Sequence, residues 1–250
     1  MNDNQDTFIS TVRQALGKSS RSQAADVFEK RPDDAEQRLT EYKNRSRADR
    51  HALLDAFMVQ AELAHITATP VKTISQAAEG IQELVHNTAP EWGSEKSVIT
   101  WNHPLIRQLN LKQRLEPEGI YLFTPSVDGI PDERQRQDHR RRLIRSYIGI
   151  TSADFCVARS ATLVMRTRPG QPRAVSLVPS VHVAVIRLDQ VIDDLKELYF
   201  RLRWDPDEQK LGLTNCMTFI SGPSKTGDIE LEMVYGAHGP RQVHIFVITG

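Results

Sequence analysis

The chain has 250 residues, and its 32 Lys plus Arg balance 32 Asp plus Glu, so no global field draws it to nucleic acid or to an anionic lipid surface. That length supports one α/β domain, or one domain with a helical extension, and excludes a small scaffold that depends on staples. The two cysteines, Cys156 and Cys216, lie in apolar runs where buried thiols are expected rather than a disulfide or a metal pair, which suits a reducing compartment.

The first ten residues are polar and acidic without the apolar run of a secretory leader, and no later stretch approaches the ~20 apolar residues of a membrane span. A cytoplasmic protein without a membrane span is expected. Phe8, Ile9, Val12 and Leu16 form a helical stripe, and the polar run at 17–23 reads as a linker. Residues 1–45 are therefore expected to be an N-terminal helical arm, and residues 46–250 an α/β domain.

Within residues 33–64, Leu53, Leu54, Phe57, Met58 and Ala61 are spaced for one buried helical face. Strand-like and helix-like segments then alternate: a strand at 66–71, a helix at 75–86, a strand at 97–101, a short helix, a strand at 119–123, and a helix at 132–147. This rhythm predicts βαβ units and a largely parallel sheet flanked by helices. The cluster Arg140, Arg141, Arg142 and Arg145 reads as a solvated helix face, since Asp132, Glu133 and Asp138 share the stretch and no aromatics interleave it.

Beyond Gly149 the strands crowd together, at 155–158, 162–166, 174–178 and 181–187, so some must be hairpins and the sheet mixed. A helix follows with Asp189 as its expected N-cap and Val191, Ile192, Leu195, Leu198 and Tyr199 on its buried side. The last predicted elements are a strand at 215–220, a loop and helix reaching Tyr235, and a strand at 242–248.

The richest stretch is Ser221-Gly222-Pro223-Ser224-Lys225-Thr226-Gly227-Asp228-Ile229-Glu230, read as a strand-to-helix turn. Its glycines permit close backbone approach, its hydroxyls and Lys225 suit a phosphate or carboxylate, and the free N–H groups of a helix start favour an anion. It is neither a Walker loop nor a dinucleotide fingerprint, because the Gly-Lys-Ser/Thr ending and the glycine spacing are wrong. A helix capped by Thr226 or Asp228 explains the same residues without a ligand. His238, in Gly236-Ala237-His238-Gly239-Pro240, is suited to an anion or a proton, though a C-cap glycine followed by a proline stop, with His238 merely hydrogen-bonded in the loop, is the commoner outcome. His182 is expected at the start of a strand, where a packed histidine is the commoner outcome. The eight histidines show no HxxxH or HExxH pattern and there is no Cys-x-x-Cys, so no metal and no iron–sulfur cluster is expected in this chain.

Ala153-Asp154, Leu177-Val178-Pro179-Ser180-Val181-His182, the stretch from Ile220 to Glu230, and His238-Gly239-Pro240 together resemble the lactate-utilisation protein C family, the LUD domain, specifically over residues 149–250. The resemblance implies a fold like that of the sugar-phosphate isomerase and coenzyme A transferase group. It implies a cytoplasmic non-redox role beside iron–sulfur, cysteine-rich subunits that oxidise L-lactate to pyruvate. Its motif positions carry over as a ligand pocket of Ser221, Gly222, Ser224, Lys225, Thr226, Asp228, His182 and His238, with no catalytic residue assigned. Where the family often has an acidic residue followed by Thr-Gly-Thr, this chain has Arg159-Ser160-Ala161-Thr162. That departure makes Arg159, Ser160 and Thr162 candidate anion contacts, and Ala161 resists the positive φ that glycine accepts.

The leading expectation is thus a subunit that binds a small carboxylate or phosphate or supports assembly of a lactate-oxidising complex, with no cofactor of its own. The alternatives are an autonomous enzyme on a sugar phosphate or acyl thioester, and a metabolite-sensing regulatory module.

Overall fold

The structure, a computed structural model, describes residues 3–15, 30–91, 93–125, 132–212, 214, 216–227 and 233–250. The chain divides into two compact units, residues 1–44 and 45–250. The first holds helices α1 (Asp3–Ala15) and α2 (Ala35–Lys43).

The second unit opens with α3 (Arg47–Leu63), started by a reciprocal capping box in which the Ser46 hydroxyl accepts from the Asp49 backbone and the Asp49 carboxylate accepts from the Ser46 backbone. The predicted apolar stripe is its buried face: Leu54, Phe57 and Ala61 lie in the core, with Leu53 and Met58 packed beside them.

Six strands form an all-parallel sheet in the order β1–β12–β7–β4–β2–β3: β1 (Ile66–Val71), β2 (Ser97–Thr100), β3 (Tyr121–Phe123), β4 (Ile148–Thr151), β7 (Val181–Arg187) and β12 (Gln242–Ile248). Pro70 is tolerated because β1 is an edge strand, where a missing N–H breaks no central ladder. Along β7, Val181, Val183 and Val185 face one core, shared with α4 (Ile74–Asn87), α5 (Pro104–Gln108) and α6 (Leu111–Leu115). Ala184 and Ile186 face the other core, shared with α3. Burial of both faces accounts for the near-continuous apolar run of the central strands. The helix expected at 132–147 is α7 (Glu133–Arg145), capped by Asp132.

Several expectations are corrected. β4 was absent from the predicted set, because the short run Ile148-Gly149-Ile150-Thr151, two residues past a charged helix, carries no turn signal of its own. The antiparallel pairings do not mix into the main sheet. They lie in a separate four-stranded sheet, β8–β5–β6–β9, from β5 (Phe155–Val157), β6 (Thr162–Arg166), β8 (Val191–Ile192) and β9 (Met217–Ile220), in which β5–β6 and β6–β9 are antiparallel and β8 runs parallel to β5. The expected strand at 174–178 is the one-turn helix α8 (Ala174–Leu177), closed by the Ser176 hydroxyl donating to the Arg173 carbonyl. α8 lies so close to β4 that a Cβ on Gly149 would meet the Val175 carbonyl oxygen at 1.8 Å, so only glycine fits there.

The helix expected to start at Asp189 begins instead at α9 (Leu195–Trp204), where the Asp194 carboxylate accepts from the Glu197 backbone. Val191 and Ile192 pair with β5 as a strand, which moves the helix phase and leaves Leu195 and Tyr199 exposed. α10 (Pro206–Leu211) follows. The segment expected to become a helix after the glycine turn contains β10 (Lys225–Gly227), paired antiparallel with β11 (Met233–Tyr235).

Candidate functional site

Gly222 has φ +131, and a Cβ there would lie 2.7 Å from the carbonyl oxygen of Ala64, so this glycine is required both by its conformation and by a close approach to the chain entering β1. Every polar group of Ser224 has a partner: its N–H donates to the Pro240 carbonyl (2.8 Å), its carbonyl accepts from Gly236 N–H (3.0 Å), and its hydroxyl accepts from His238 N–H (3.3 Å). Arg241 N–H donates to the Ser180 carbonyl (2.8 Å). The glycine turn, the His238 turn and the segment before β7 are therefore tied into one patch at the amino ends of β1, β12 and β7.

This corrects the expected cradle. β10, not a helix start, follows the turn, so the N–H array that would favour an anion is absent from the described residues, and the backbone of Ser224 is committed to the fold. Lys225, exposed, and Thr226 lie in β10; Asp228 lies outside the described residues.

A second group of predicted residues does converge. The Thr162 hydroxyl, buried at the start of β6, is hydrogen-bonded to the Ser221 hydroxyl (2.7 Å) and the Ser160 hydroxyl (2.8 Å). Arg159 stands apart from these, donating through Nε (2.8 Å) and Nη2 (3.2 Å) to the Asp193 carboxylate, a bidentate pair that engages the guanidinium proposed for an anion. Ala161 adopts the left-handed conformation despite its Cβ, with φ +47, so the turn keeps the shape a glycine would take there at a cost of roughly 1–2 kcal/mol.

His182 is fully buried, with Nε2 2.8 Å from the Thr151 hydroxyl and Nδ1 without a partner. Burial, and secondarily the neighbouring His244, push its pKa down to about 3. It is a neutral packing histidine and not an anion ligand, because a cation there would be desolvated. The unfolded chain binds this proton below the ordinary histidine pKa of about 6.5, whereas the folded chain binds it only near 3, so stability falls with acidification across that window. A His182→Asn variant is expected to remove about 1.4 kcal/mol per pH unit from the slope of unfolding free energy near pH 5, read by urea titrations from pH 4 to 7. An unchanged slope would place the proton uptake elsewhere.

Two charged networks escaped the sequence reading. The Asp154 carboxylate accepts from Arg166 N–H (2.7 Å), Arg166 Nε (3.0 Å) and Arg168 Nη2 (2.6 Å), and Arg166 Nη2 reaches Glu208 on α10 (2.6 Å). The Glu197 carboxylate is held bidentately by Arg45 (2.7 and 2.6 Å), by Arg201 Nε (2.8 Å), and by the Asp193 N–H (2.9 Å). The signal for the first was Asp154 itself, within the family-like Ala153-Asp154, together with arginines at alternate positions 166 and 168. For the second only the i, i+4 spacing of Glu197 and Arg201 was visible.

Contrary to expectation, Cys216 is not buried: its thiol lies 3.6 Å from Arg173 Nη1, and hydrogen bonding with Thr218 and Arg173 lowers its pKa. Cys156 is buried, and burial pushes its thiol pKa up. Among the described residues, no group of three or more His, Cys, Asp or Glu is placed to hold a metal ion. No described helix is long and apolar enough to cross a membrane.

The patch holding His238 opens onto a cleft of about 1710 Å³ along the amino edge of the main sheet, lined by Ser180, His238 and Gly239 on one side and Tyr121, Arg142 and Ile144 on another. Glu91 closes one end, accepting from the Ser180 hydroxyl and from Arg241. Arg142 donates to the Tyr121 hydroxyl (2.8 Å) and to Asp138 (2.7 Å). Tyr121, Ile144 and Val178 present exposed apolar surface in this cleft.

A parallel sheet with helices on both faces, extended by a second small sheet and bearing a loop-lined cleft along one strand edge, defines an α/β protein. The LUD domain family model matches residues 54–248, and the chain belongs to that family. It is 27% identical over 243 residues to lactate utilization protein C of Halalkalibacterium halodurans, covering 97% of this chain and 96% of that protein. It is 26% identical over 255 residues to lactate utilization protein C of a Geobacillus species, covering 98% and 96%. Among solved structures, a DUF162 family protein from Deinococcus radiodurans aligns at 20% identity and a TM-score of 0.48, covering 82% of this chain and 99% of that one.

Proposed function

We propose that this chain takes part in lactate utilisation as a non-redox subunit, and that its amino-edge cleft docks a partner subunit carrying the iron–sulfur clusters of an L-lactate-oxidising complex. The name shared by relatives aligned along nearly the whole chain supports the role in lactate utilisation. The cleft is the observation that carries the docking. Pockets for small metabolites run to about 300–1,000 Å³ and enclose their ligand, whereas this one is larger and open, far beyond what a three-carbon acid fills. Exposed Tyr121, Ile144 and Val178 beside arginines of α7 match the aromatic and arginine-rich make-up of protein interfaces. In this reading the glycine and His238 turns shape the rim of an interface, which accounts for their tight mutual hydrogen bonding.

Ile144→Glu tests it, since Ile144 is 62% exposed on α7 and a carboxylate there leaves the fold intact. Tagged wild-type chain is expected to retain purified cluster-bearing subunits of the lactate-oxidising complex, and the variant to retain them at least about ten-fold less, the loss of one central interface anchor. Equal retention would remove the cleft from the interface, and failure of the wild type to retain any such subunit would remove the role itself.

A further inference from the structure

The outer strand of a sheet presents a row of unpaired N–H and C=O groups, and natural proteins blunt such edges with proline, charge or shortness. Three of the four outer strands of the two larger sheets are blunted in this way: β1 carries Pro70, β3 has three residues and β8 has two. β9 is not. Its four residues, Met217-Thr218-Phe219-Ile220, include neither charge nor proline, and Phe219 is 41% exposed.

The register shows which backbone groups of β9 are open. The Thr167 N–H donates to the carbonyl of Cys216, which lies opposite it (3.0 Å), so the hydrogen-bonded pairs with β6 continue at Met165–Thr218 and Leu163–Ile220. Arg166 and Val164 alternate with these and bond toward the other side. The Arg166 N–H donates to the Asp154 carboxylate (2.7 Å), and the Val164 carbonyl accepts from the Asp154 N–H (2.8 Å). Met217 and Phe219, opposite those two residues, therefore turn their own N–H and C=O groups away from β6. No hydrogen bond engages these groups among the described residues. The side chains alternate as well: Met217 packs against the small core of Phe155, Val157 and Leu198, Phe219 shares that face, and Ile220 is buried in the core beneath α3.

We propose that β9 pairs antiparallel with β9 of a second copy of this chain, across a two-fold axis at Thr218. In that register Met217 of each copy exchanges hydrogen bonds with Phe219 of the other, which uses every open backbone group of Met217 and Phe219. Met217 and Phe219 then face each other across the strands, a sulfur–aromatic contact that covers the exposed ring. Thr218 meets Thr218 on the opposite face, a position where a charged residue would repel its own copy. The occupant is a second copy because Met-Thr-Phe complements itself about its centre, and no charged residue from Cys216 to Ser224 selects a different partner. A single strand pair buries less than the ~1,200 Å² of a standard interface, so the dimer is a dissociable one. It does not rest on the amino-edge cleft, and either can fail alone.

The test is sedimentation velocity of the full chain from roughly 1 to 500 µM, which brackets the dissociation constants of small interfaces. A monomer–dimer equilibrium within that range is expected. Phe219→Lys gives the strand the charge that natural edges carry and should weaken the dimer at least about ten-fold, whereas Ile144→Glu, at the cleft, should leave it unchanged. Thr218→Cys, combined with Cys216→Ser, reads the register under oxidising conditions. Residues opposed in a non-hydrogen-bonded pair lie about 4.5 Å apart, within disulfide reach, so a cross-link between copies should form. The wild-type chain should not cross-link, since four strand steps hold the two Cys216 residues about 13 Å apart. The proposal is overturned by a chain that stays monomeric throughout, by a dimer indifferent to Phe219→Lys or broken by Ile144→Glu, by absence of the Thr218→Cys cross-link, or by a cross-link through Cys216. Capture of a strand from a different protein by a monomeric chain would overturn it equally. Should Phe219→Lys disturb folding, the Thr218→Cys cross-link decides the question.

Discussion

Replacing Glu197 by alanine is expected to lower the unfolding free energy by about 3–5 kcal/mol, the range measured when one member of a buried ion pair is removed. The carboxylate is 2% exposed and joins Arg45, in the segment that leads into α3, to Arg201 one turn along α9. It also accepts from the Asp193 N–H, so it holds the entry to α9 as well as its side. With it gone, two guanidiniums that are 16% and 12% exposed lose the buried carboxylate they share. The cost comes mainly from that loss of compensation for desolvated charge and less from the pair's own net attraction. A double variant, Glu197→Ala with Arg45→Met, should recover part of the loss. Urea unfolding of the three proteins checks this, and no recovery in the double variant would mean that the alanine acts through packing at α9 instead.

The second large effect is expected at Asp154. Its carboxylate is 8% exposed and takes three hydrogen bonds from Arg166 and Arg168, while Arg166 is itself 2% exposed and stretches on to Glu208. Asp154→Asn keeps the shape, removes the charge and turns an N–H₂ group toward a guanidinium, so a loss of about 3–5 kcal/mol is again expected. Because Asp154, just before β5, is tied to Arg166 on β6, the second sheet should loosen there before the main sheet does. Hydrogen exchange is the discriminating measurement: amides of β5, β6 and β9 should lose protection first, and those of β7 and β12 last. Uniform loss across both sheets would show that the network supports the whole domain and not one edge of it.

Both residues illustrate how the sequence-level pattern divides into what is local and what is not. The stripe Leu54, Phe57 and Ala61, and the runs that became β1 and β12, were legible because burial of one helical face or of both strand faces writes its period into consecutive residues. β4 was not, since its four residues follow α7 without a turn, and Gly149 gains its meaning only from the Val175 carbonyl pressed against it. The segment 174–178 has the composition of a strand, yet one turn of helix is what fits between β6 and β7 over that glycine.

The candidate site divides along the same line. Glycine, serine and histidine in the 221–240 region correctly marked a tight, conformationally demanding turn, and the family likeness they carried holds across residues 54–248. The expected helix reaching Tyr235 is not formed at its end, because Met233–Tyr235 pairs antiparallel with Lys225–Gly227, and a strand pair engages backbone groups in a ladder that a helix cannot share. Amino-acid order alone determined the class of fold, the face that α3 buries and the family. Tertiary structure alone decided which charges are buried, which end of the sheet each loop occupies, and that β9 is left as an outer strand. Periodicity reports the surroundings of neighbouring residues, whereas electrostatics and cavities depend on groups brought together from distant parts of the chain once the sheet has closed.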